Sequence, residues 1–146
     1  MAAVREAQVT WNGNLAEGNG TINQVTSSAV NGLPVTWASR TEGPEGKTSP
    51  EELVAAAHAS CYAMAFSHML NLNGTPPTKL EVSATVTFDR VDAGFKVVSS
   101  ALKVSGQVDG IEASAFQETA EAAKDGCPIS QALKGNVELS VEATLE

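Results

Sequence analysis

SPEELVAAAHASCYAMAFSHMLNL, residues 49–72, decides the fold because it joins a helix start signal to a long apolar run. Ser49 is placed to cap a helix, Pro50 to occupy its first position, and Glu52 to complete a capping box with Ser49. The residues that follow are apolar on nearly every side, and such a helix is normally buried all round. At the rise of an α-helix the segment is roughly 35 Å long. The sequence therefore predicts one long, buried helix at the centre of the fold.

The rest of the chain predicts strands on both sides of this helix, because apolar and polar residues alternate there. Two shorter helices are expected after the strands that follow it. This order indicates an α+β fold with mostly antiparallel sheets, built as a single domain over residues 1–146. The predicted elements are strands at 7–12, 20–25 and 33–39, a hairpin of 80–88 and 98–108, a helix at 111–125, a short helix from 128 to about 134, and a strand at 137–145.

The composition restricts the classes of binding partner and the cellular compartment that we expect for this protein. A net charge of −8 argues against nucleic acids and anionic membrane surfaces, because both are bound by basic patches. The long helix is interrupted by polar residues such as His58 and Ser67, which argues against a membrane span. The first residues, MAAVREAQVTW, lack the basic start and apolar core of a signal peptide. We therefore expect a cytoplasmic protein whose two cysteines are not a disulfide scaffold.

The two cysteines are candidates for thiol chemistry. Cys61 lies in the middle of the apolar helix, where a cysteine is usually an unreactive small hydrophobe and burial raises its pKa. Reactivity would need a nearby cation, and Arg40, in the loop that enters the helix, is the candidate. Cys127 lies at a predicted helix N-terminus, where it is either a stabilised thiolate or a neutral cap. Their separation of 66 residues leaves open whether they meet.

Two further polar residues of the long helix have alternative interpretations. His58 shares a helix face with Cys61, and a hydrogen-bonded core histidine is favoured over a catalytic base or a metal ligand, since few other nitrogen or sulfur donors exist. Glu51 precedes Cys61 by ten residues, about 15 Å along a helix. A site shared by Glu51 and Cys61 therefore needs a bent helix or a carboxylate from a second subunit. A helix apolar all round in so short a chain also favours a homodimer.

Four segments together resemble the OsmC/Ohr family, the osmotically inducible and organic-hydroperoxide-resistance proteins. They are TWASRTEGPEGKTSPEEL, SPEELVAAAHASCYAMAFSHML, FDRVDAGF and GCPISQALK, spread over nearly the whole chain. The alanine-histidine run before Cys61 and the last segment favour the OsmC branch. The resemblance implies an intertwined homodimer with its long helices packed centrally, and a thiol peroxidase acting on hydroperoxides.

The resemblance also implies roles for individual residues. Cys61 matches the peroxidatic cysteine and Cys127 the resolving one, while Arg40 and Glu51 match the arginine and carboxylate of the site. The implied cycle passes through a sulfenic acid and an intramolecular disulfide, which a lipoyl-type dithiol or a lipoylated protein reduces. No bound cofactor and no metal are implied, and His58 is assigned no role. Apolar neighbours of Cys61 would suit organic hydroperoxides better than hydrogen peroxide.

Two other classes of function use the same residues. A thiol-based redox sensor or binding protein would oxidise the two cysteines once, without turnover. A hydrolase or acyl transferase would pair Cys61 with His58 as its base. The second alternative predicts that His58→Ala abolishes activity and that Cys127→Ser has little effect, the reverse of the peroxidase pattern.

Overall fold

The computed structural model describes every residue from Met1 to Glu146, in two compact units, Met1–Leu53 and Val54–Glu146. The first unit holds a three-stranded antiparallel sheet in the order β1-β2-β3 and a short helix, α1. The second holds a three-stranded sheet in the order β4-β5-β6 and two helices, α3 and α4. The long helix α2 begins in the first unit and continues through the second. The elements are β1 (Ala7–Asn12), β2 (Asn19–Val25), β3 (Leu33–Val35), α1 (Trp37–Thr41), α2 (Pro50–Leu72), β4 (Lys79–Val91), β5 (Gly94–Gln107), α3 (Ala113–Gly126), α4 (Pro128–Leu133) and β6 (Glu138–Leu145).

The third strand is shorter than the sequence predicts, because a helix start signal follows it. Thr36 is the N-cap of α1, and its hydroxyl accepts a hydrogen bond from the Ser39 N–H at 3.0 Å. The Ser39 hydroxyl in turn accepts from the Thr36 N–H at 3.0 Å, which completes a capping box. The predicted strand at 33–39 was therefore wrong beyond Val35, and Arg40 lies in the last turn of a helix rather than in a loop.

The start of α2 follows the predicted pattern in part. The Ser49 hydroxyl accepts from the Glu52 N–H at 3.2 Å, and Pro50 is the first helical residue. The Glu52 carboxylate accepts a hydrogen bond from the Thr48 hydroxyl at 2.9 Å. It does not bond to the Ser49 N–H, so the predicted capping box is only half formed. The helix ends at Leu72, and the following turn places Gly74 at a φ of +81°.

In the single chain, α2 is buried on one stripe only, so burial on its other sides, as its sequence predicts, would need the expected second copy of the chain. The buried residues recur every four positions, which is one face of a helix. Outside this face, Met64 is 67% and Leu72 69% exposed. The stripe consists of His58, Tyr62, Phe66 and Leu70.

By length and apolar composition alone, α2 meets the criteria for a helix that could cross a membrane. A core helix meets the same two criteria. Tyr62, Phe66 and Leu70 of α2 are fully buried in the hydrophobic core of the second unit, which is the role of a core helix.

The sheet of the second unit combines two pairing modes. β4 and β5 form a long antiparallel hairpin in which Val82 pairs with Val104. β6 follows α3 and α4 and pairs with β5 in parallel, with Val141 opposite Leu102. A parallel neighbour needs such a helical crossover, whereas the hairpin needs only a short turn. The predicted α+β architecture is therefore confirmed, with one parallel pair.

The core of this unit is closed by α3 against the sheet. Phe66 meets Phe116 of α3 edge to face, with ring centroids 5.0 Å apart. Gly106 of β5 allows this approach, because a Cβ atom there would lie 2.7 Å from the Phe116 ring. The buried face of α3 includes Thr119 beside Phe116, whereas Ala113 at the start of the helix is exposed.

Candidate active site

The two cysteines, 66 residues apart in sequence, lie side by side in the second unit. The Cys61 and Cys127 sulfur atoms are 3.2 Å apart, and both thiols are free. Cys127 is fully buried, while Cys61 is partly exposed. One thiol is therefore open to a small molecule, and the other is held behind it at hydrogen-bonding distance.

Cys127 is positioned by the junction of α3 and α4. Its N–H donates to the Ala123 carbonyl at 2.9 Å, which ends α3, and its carbonyl accepts from the Gln131 N–H at 3.0 Å, which begins α4. Pro128 occupies the first turn of α4. The predicted position of Cys127 as a helix cap is confirmed, although its sulfur makes no regular capping hydrogen bond.

The surroundings favour the thiolate on Cys127 in the single chain. Burial raises the pKa of Cys61, the Ile129 N–H opposes this, and the Cys127 thiol adds to it. Burial also disfavours the Cys127 thiolate, but the Ser130 N–H, the Cys61 thiol, the Ser130 hydroxyl and the Ile129 N–H together lower the pKa of Cys127. The hydrogen bond between the sulfurs is compatible with a proton on either, and these donors favour the proton on Cys61.

His58 is a buried, neutral histidine. Its Nδ1 lies 2.7 Å from the Ser100 hydroxyl and its Nε2 lies 2.8 Å from the Ser130 hydroxyl. The ring is fully buried, and this burial lowers its pKa. The predicted hydrogen-bonded core histidine is confirmed. Because both ring nitrogens are engaged with serines, neither is placed to act as a base for Cys61.

Sequence reasoning missed the two serines. Ser100 is fully buried on β5, two residues before Leu102 on the same strand face, and alternation from Leu102 would have placed it inward. Ser130 is 2% exposed and occupies the third position of α4 after the Cys127 cap. No local signal links either serine to His58, because 42 and 72 residues separate them from it.

Arg40 and Glu51 form an ion pair within the first unit. Arg40 Nη2 donates to Glu51 Oε1 at 2.7 Å, and Arg40 Nε lies 3.1 Å from both carboxylate oxygens. Their side chains are 29% and 10% exposed. Glu51 lies in the first turn of α2, and the Arg40 guanidinium carbon is 5.9 Å from the centroid of the Trp37 ring. The pair is an oriented guanidinium held by a largely buried carboxylate.

The apolar residues around Cys61 on α2 divide between core and surface. Tyr62 and Phe66 are fully buried in the core, so they do not face an approaching substrate. Met64 is exposed on the opposite face. The two aromatic neighbours of Cys61 on α2 therefore belong to the core of the single chain and do not surround a bound hydroperoxide, as was expected of the apolar neighbours.

Comparison with known proteins finds a matching family and relatives that cover most or nearly all of the chain. The family model for OsmC-like proteins matches residues 43–142, beginning just after Arg40. The chain is 42% identical to peroxiredoxin OsmC of Escherichia coli strain K12, covering 97% of this chain and 98% of that protein. It is 33% identical to the organic hydroperoxide resistance protein OhrB of Bacillus subtilis strain 168, covering 69% of this chain and 72% of that protein. The crystal structure of Bacillus subtilis OhrB matches with a TM-score of 0.74 at 26% identity, covering 95% of this chain and 98% of that chain.

Proposed function

The chain belongs to the OsmC family, as its motifs indicated, and from that membership we propose that it is a cysteine-based peroxidase that reduces organic hydroperoxides. Relatives that cover most of the chain are named as a peroxiredoxin and as organic hydroperoxide resistance proteins. The observation that carries the proposal is the sulfur pair at 3.2 Å, with Cys61 partly exposed and Cys127 buried. This difference in exposure gives a peroxide access to Cys61 and leaves Cys127 to react in the next step.

The proposed cycle has three steps. The Cys61 thiolate attacks a peroxide oxygen, the O–O bond breaks, and the alcohol leaves with a proton while Cys61 becomes a sulfenic acid. The Cys127 thiolate then attacks the Cys61 sulfur, a disulfide forms, and the hydroxide leaves as water after taking a proton. An external dithiol reduces the disulfide by exchange. We expect a lipoyl-type dithiol, free or carried by a lipoylated protein, and no bound cofactor.

The first step needs a cation near Cys61, because burial and the Cys127 thiol raise its pKa in the single chain. The Arg40–Glu51 pair is the candidate: its guanidinium would stabilise the thiolate and the charge on the leaving oxygen. Ten residues of helix, about 15 Å, separate Glu51 from Cys61. We therefore propose that a second copy of the chain supplies the pair.

The uncovered face of α2 supports this homodimer. Met64 and Leu72 are exposed apolar residues on a helix that is apolar all round, and a second copy of the same helix would cover them. Light scattering after gel filtration should give a mass near twice 15.1 kDa. A mass equal to one chain would remove the dimer and leave Cys61 without the proposed cation.

With a net charge of −8, we expect no nucleic-acid or membrane partner and a cytoplasmic location.

The test is steady-state reduction of cumene hydroperoxide, compared with hydrogen peroxide, with dihydrolipoamide as the reductant. We expect turnover in the wild type, none in Cys61→Ser, and in Cys127→Ser a single oxidation of Cys61 without efficient turnover. Ser60→Ala is the matched control, because Ser60 is the exposed neighbour of Cys61 and its hydroxyl donates only to carbonyls of its own helix. It should keep wild-type rates, and the organic substrate should be preferred.

A reduced, dimeric wild type that shows no turnover would contradict the peroxidase. In that case stoichiometric oxidation of the same two thiols would favour the redox sensor. The acyl-transfer alternative has no support from the site, since both nitrogens of His58 are engaged by Ser100 and Ser130.

A further inference from the structure

The two thiols form a pair of soft ligands that a small molecule can reach from one side. Their sulfur atoms are 3.2 Å apart, and both thiols are free. Cys127 is fully buried, so a ligand that bonds to both sulfurs must enter beside the partly exposed Cys61. Ala57, one helical turn before Cys61, is exposed and carries only a methyl group. No bulky side chain therefore precedes Cys61 on that side of α2.

No third sulfur or nitrogen ligand accompanies the two sulfurs. Cys61 and Cys127 are the only cysteines of the chain. Both ring nitrogens of His58, on the same helix, are engaged by serine hydroxyls. No group of three or more His, Cys, Asp or Glu side chains is placed to hold a metal ion. An atom bound here must therefore complete its coordination with a substituent of its own, whereas a structural zinc ion takes all four ligands from the protein.

The separation of the sulfurs selects the bond angle at an atom that bridges them. With bonds of about 2.3 Å, the length of a zinc–thiolate bond, two sulfurs lie about 3.3 Å apart at a right angle, about 3.8 Å apart at the tetrahedral angle and about 4.6 Å apart on a straight line. The observed 3.2 Å matches the right angle. Trivalent arsenic is pyramidal with angles close to a right angle, because a lone pair occupies its fourth position.

We propose that Cys61 and Cys127 form a binding site for monosubstituted trivalent arsenicals, compounds in which arsenic carries one carbon group and two exchangeable oxygen ligands. The two sulfurs replace the two oxygens, and the carbon group is the third ligand that the chain does not supply. Arsenic bridges the sulfurs with little movement of α2 or of the junction between α3 and α4, which carry them. The carbon group points toward the open side of Cys61.

The reaction is an exchange of ligands without oxidation or reduction. Each thiol attacks arsenic, one arsenic–sulfur bond forms, and one arsenic–oxygen bond breaks. The hydroxide that leaves takes the proton of the thiol, so two thiols and one arsenical with two hydroxyl groups give the bridged product and two molecules of water. The site needs no co-reactant.

The bridge would also block the proposed peroxidase, and only this consequence rests on the proposed function. An arsenical that bonds to both sulfurs removes the thiol that meets the peroxide and the thiol that resolves the sulfenic acid. Protein loaded with the arsenical should form no sulfenic acid on mixing with cumene hydroperoxide. This reaction is measured without dihydrolipoamide, because that dithiol would itself bind the arsenical.

The first experiment adds phenylarsine oxide to the reduced full chain in the absence of any other thiol. Native mass spectrometry should show one phenylarsenic group per chain in exchange for two hydrogens, and thiol counting should show the loss of both thiols. Cys61→Ser and Cys127→Ser each keep one thiol and should bind at least about 100-fold more weakly, because the second bond is then lost. Ser60→Ala is the matched control and should bind as the wild type does, since the Ser60 hydroxyl donates only to carbonyls of its own helix.

The second experiment uses the wild type alone and therefore decides the question even if a serine variant does not fold. The loaded protein is treated with dihydrolipoamide or with a monothiol at the same concentration of thiol groups. The dithiol should release the arsenical and restore both thiols. The monothiol should not, because it can replace only one bond at a time while the other holds the arsenic in place.

Three results would overturn the proposal: the loss of a single thiol, equal binding by the wild type and Cys127→Ser, or release by the monothiol as complete as release by the dithiol. A bridge between two chains, seen as a doubled mass on denaturing the loaded protein, would also overturn it. Binding is measured without peroxide, so a protein that binds phenylarsine oxide through both thiols but reduces no hydroperoxide would contradict only the proposed peroxidase.

Discussion

Oxidation by one equivalent of cumene hydroperoxide is expected to join Cys61 to Cys127 and to stabilise the folded chain. The two sulfurs already lie 3.2 Å apart, so the bond forms with little movement of the elements that carry them. The bond closes a loop between residues 66 apart in sequence. A cross-link of this span reduces the entropy of the unfolded chain and stabilises the fold by about 4 kcal/mol at 25 °C. For a chain of this size, that corresponds to a rise in Tm of about 10 °C.

The assay compares thermal and urea unfolding of the protein before and after oxidation, at one protein concentration because the chain is expected to dimerise. Thiol counting should show the loss of both thiols, and non-reducing electrophoresis should show a single chain. Dihydrolipoamide should reverse the shift in Tm. Cys127→Ser is the control, since the same peroxide should oxidise Cys61 without changing Tm by a comparable amount.

Two results would refute this reasoning. One is a protein that loses both thiols but keeps its Tm, which would mean that the bond strains the native state by as much as it restricts the unfolded chain. The other is a disulfide between two chains, which would mean that the sulfur pair within one chain is not the pair that reacts.

Three further outcomes are expected. Glu51→Gln should lower the rate of sulfenic acid formation by about tenfold, because a neutral amide orients Arg40 less firmly than a carboxylate does; a stopped-flow rate equal to the wild type would exclude the pair from the site. Gly106→Ala should reduce the free energy of urea unfolding by about 1–3 kcal/mol, because its Cβ would lie 2.7 Å from an aromatic ring of α3, whereas Gly43→Ala, with open space around it, should be nearly neutral. Burial lowers the pKa of His58 below its ordinary value of 6.5, so the unfolded chain binds more protons than the folded chain as the pH falls below 6.5. The free energy of unfolding should therefore decrease as the pH falls below 6.5. Urea unfolding at a series of pH values should show a smaller decrease in His58→Gln.

Much of the secondary structure follows from signals between residues a few positions apart. The Ser49–Pro50 start of α2 and the Cys127–Pro128 start of α4 are local sequence signals, and the alternation of apolar and polar residues in β4 and β5 defines the hairpin. The helix at 37–41 was missed because a strand-like run precedes it and its capping box of Thr and Ser is a weaker sequence signal than one closed by Glu.

The candidate site depends on contacts that no local signal contains. Composition and spacing marked Cys61 and Cys127 as candidates, and family resemblance supplied their roles, but the approach of the two sulfurs follows from packing α2, α3 and α4 around one core. The same holds for His58: the sequence predicted a satisfied buried histidine, while only tertiary structure selected Ser100 and Ser130 as its partners.

The sequence by itself determined where most of the helices and strands of this chain form, since capping, proline and alternation act within one or two turns. Only the tertiary structure decided which side chains share a site, because a contact between residues 66 apart results from the packing of whole elements and not from the residues it joins.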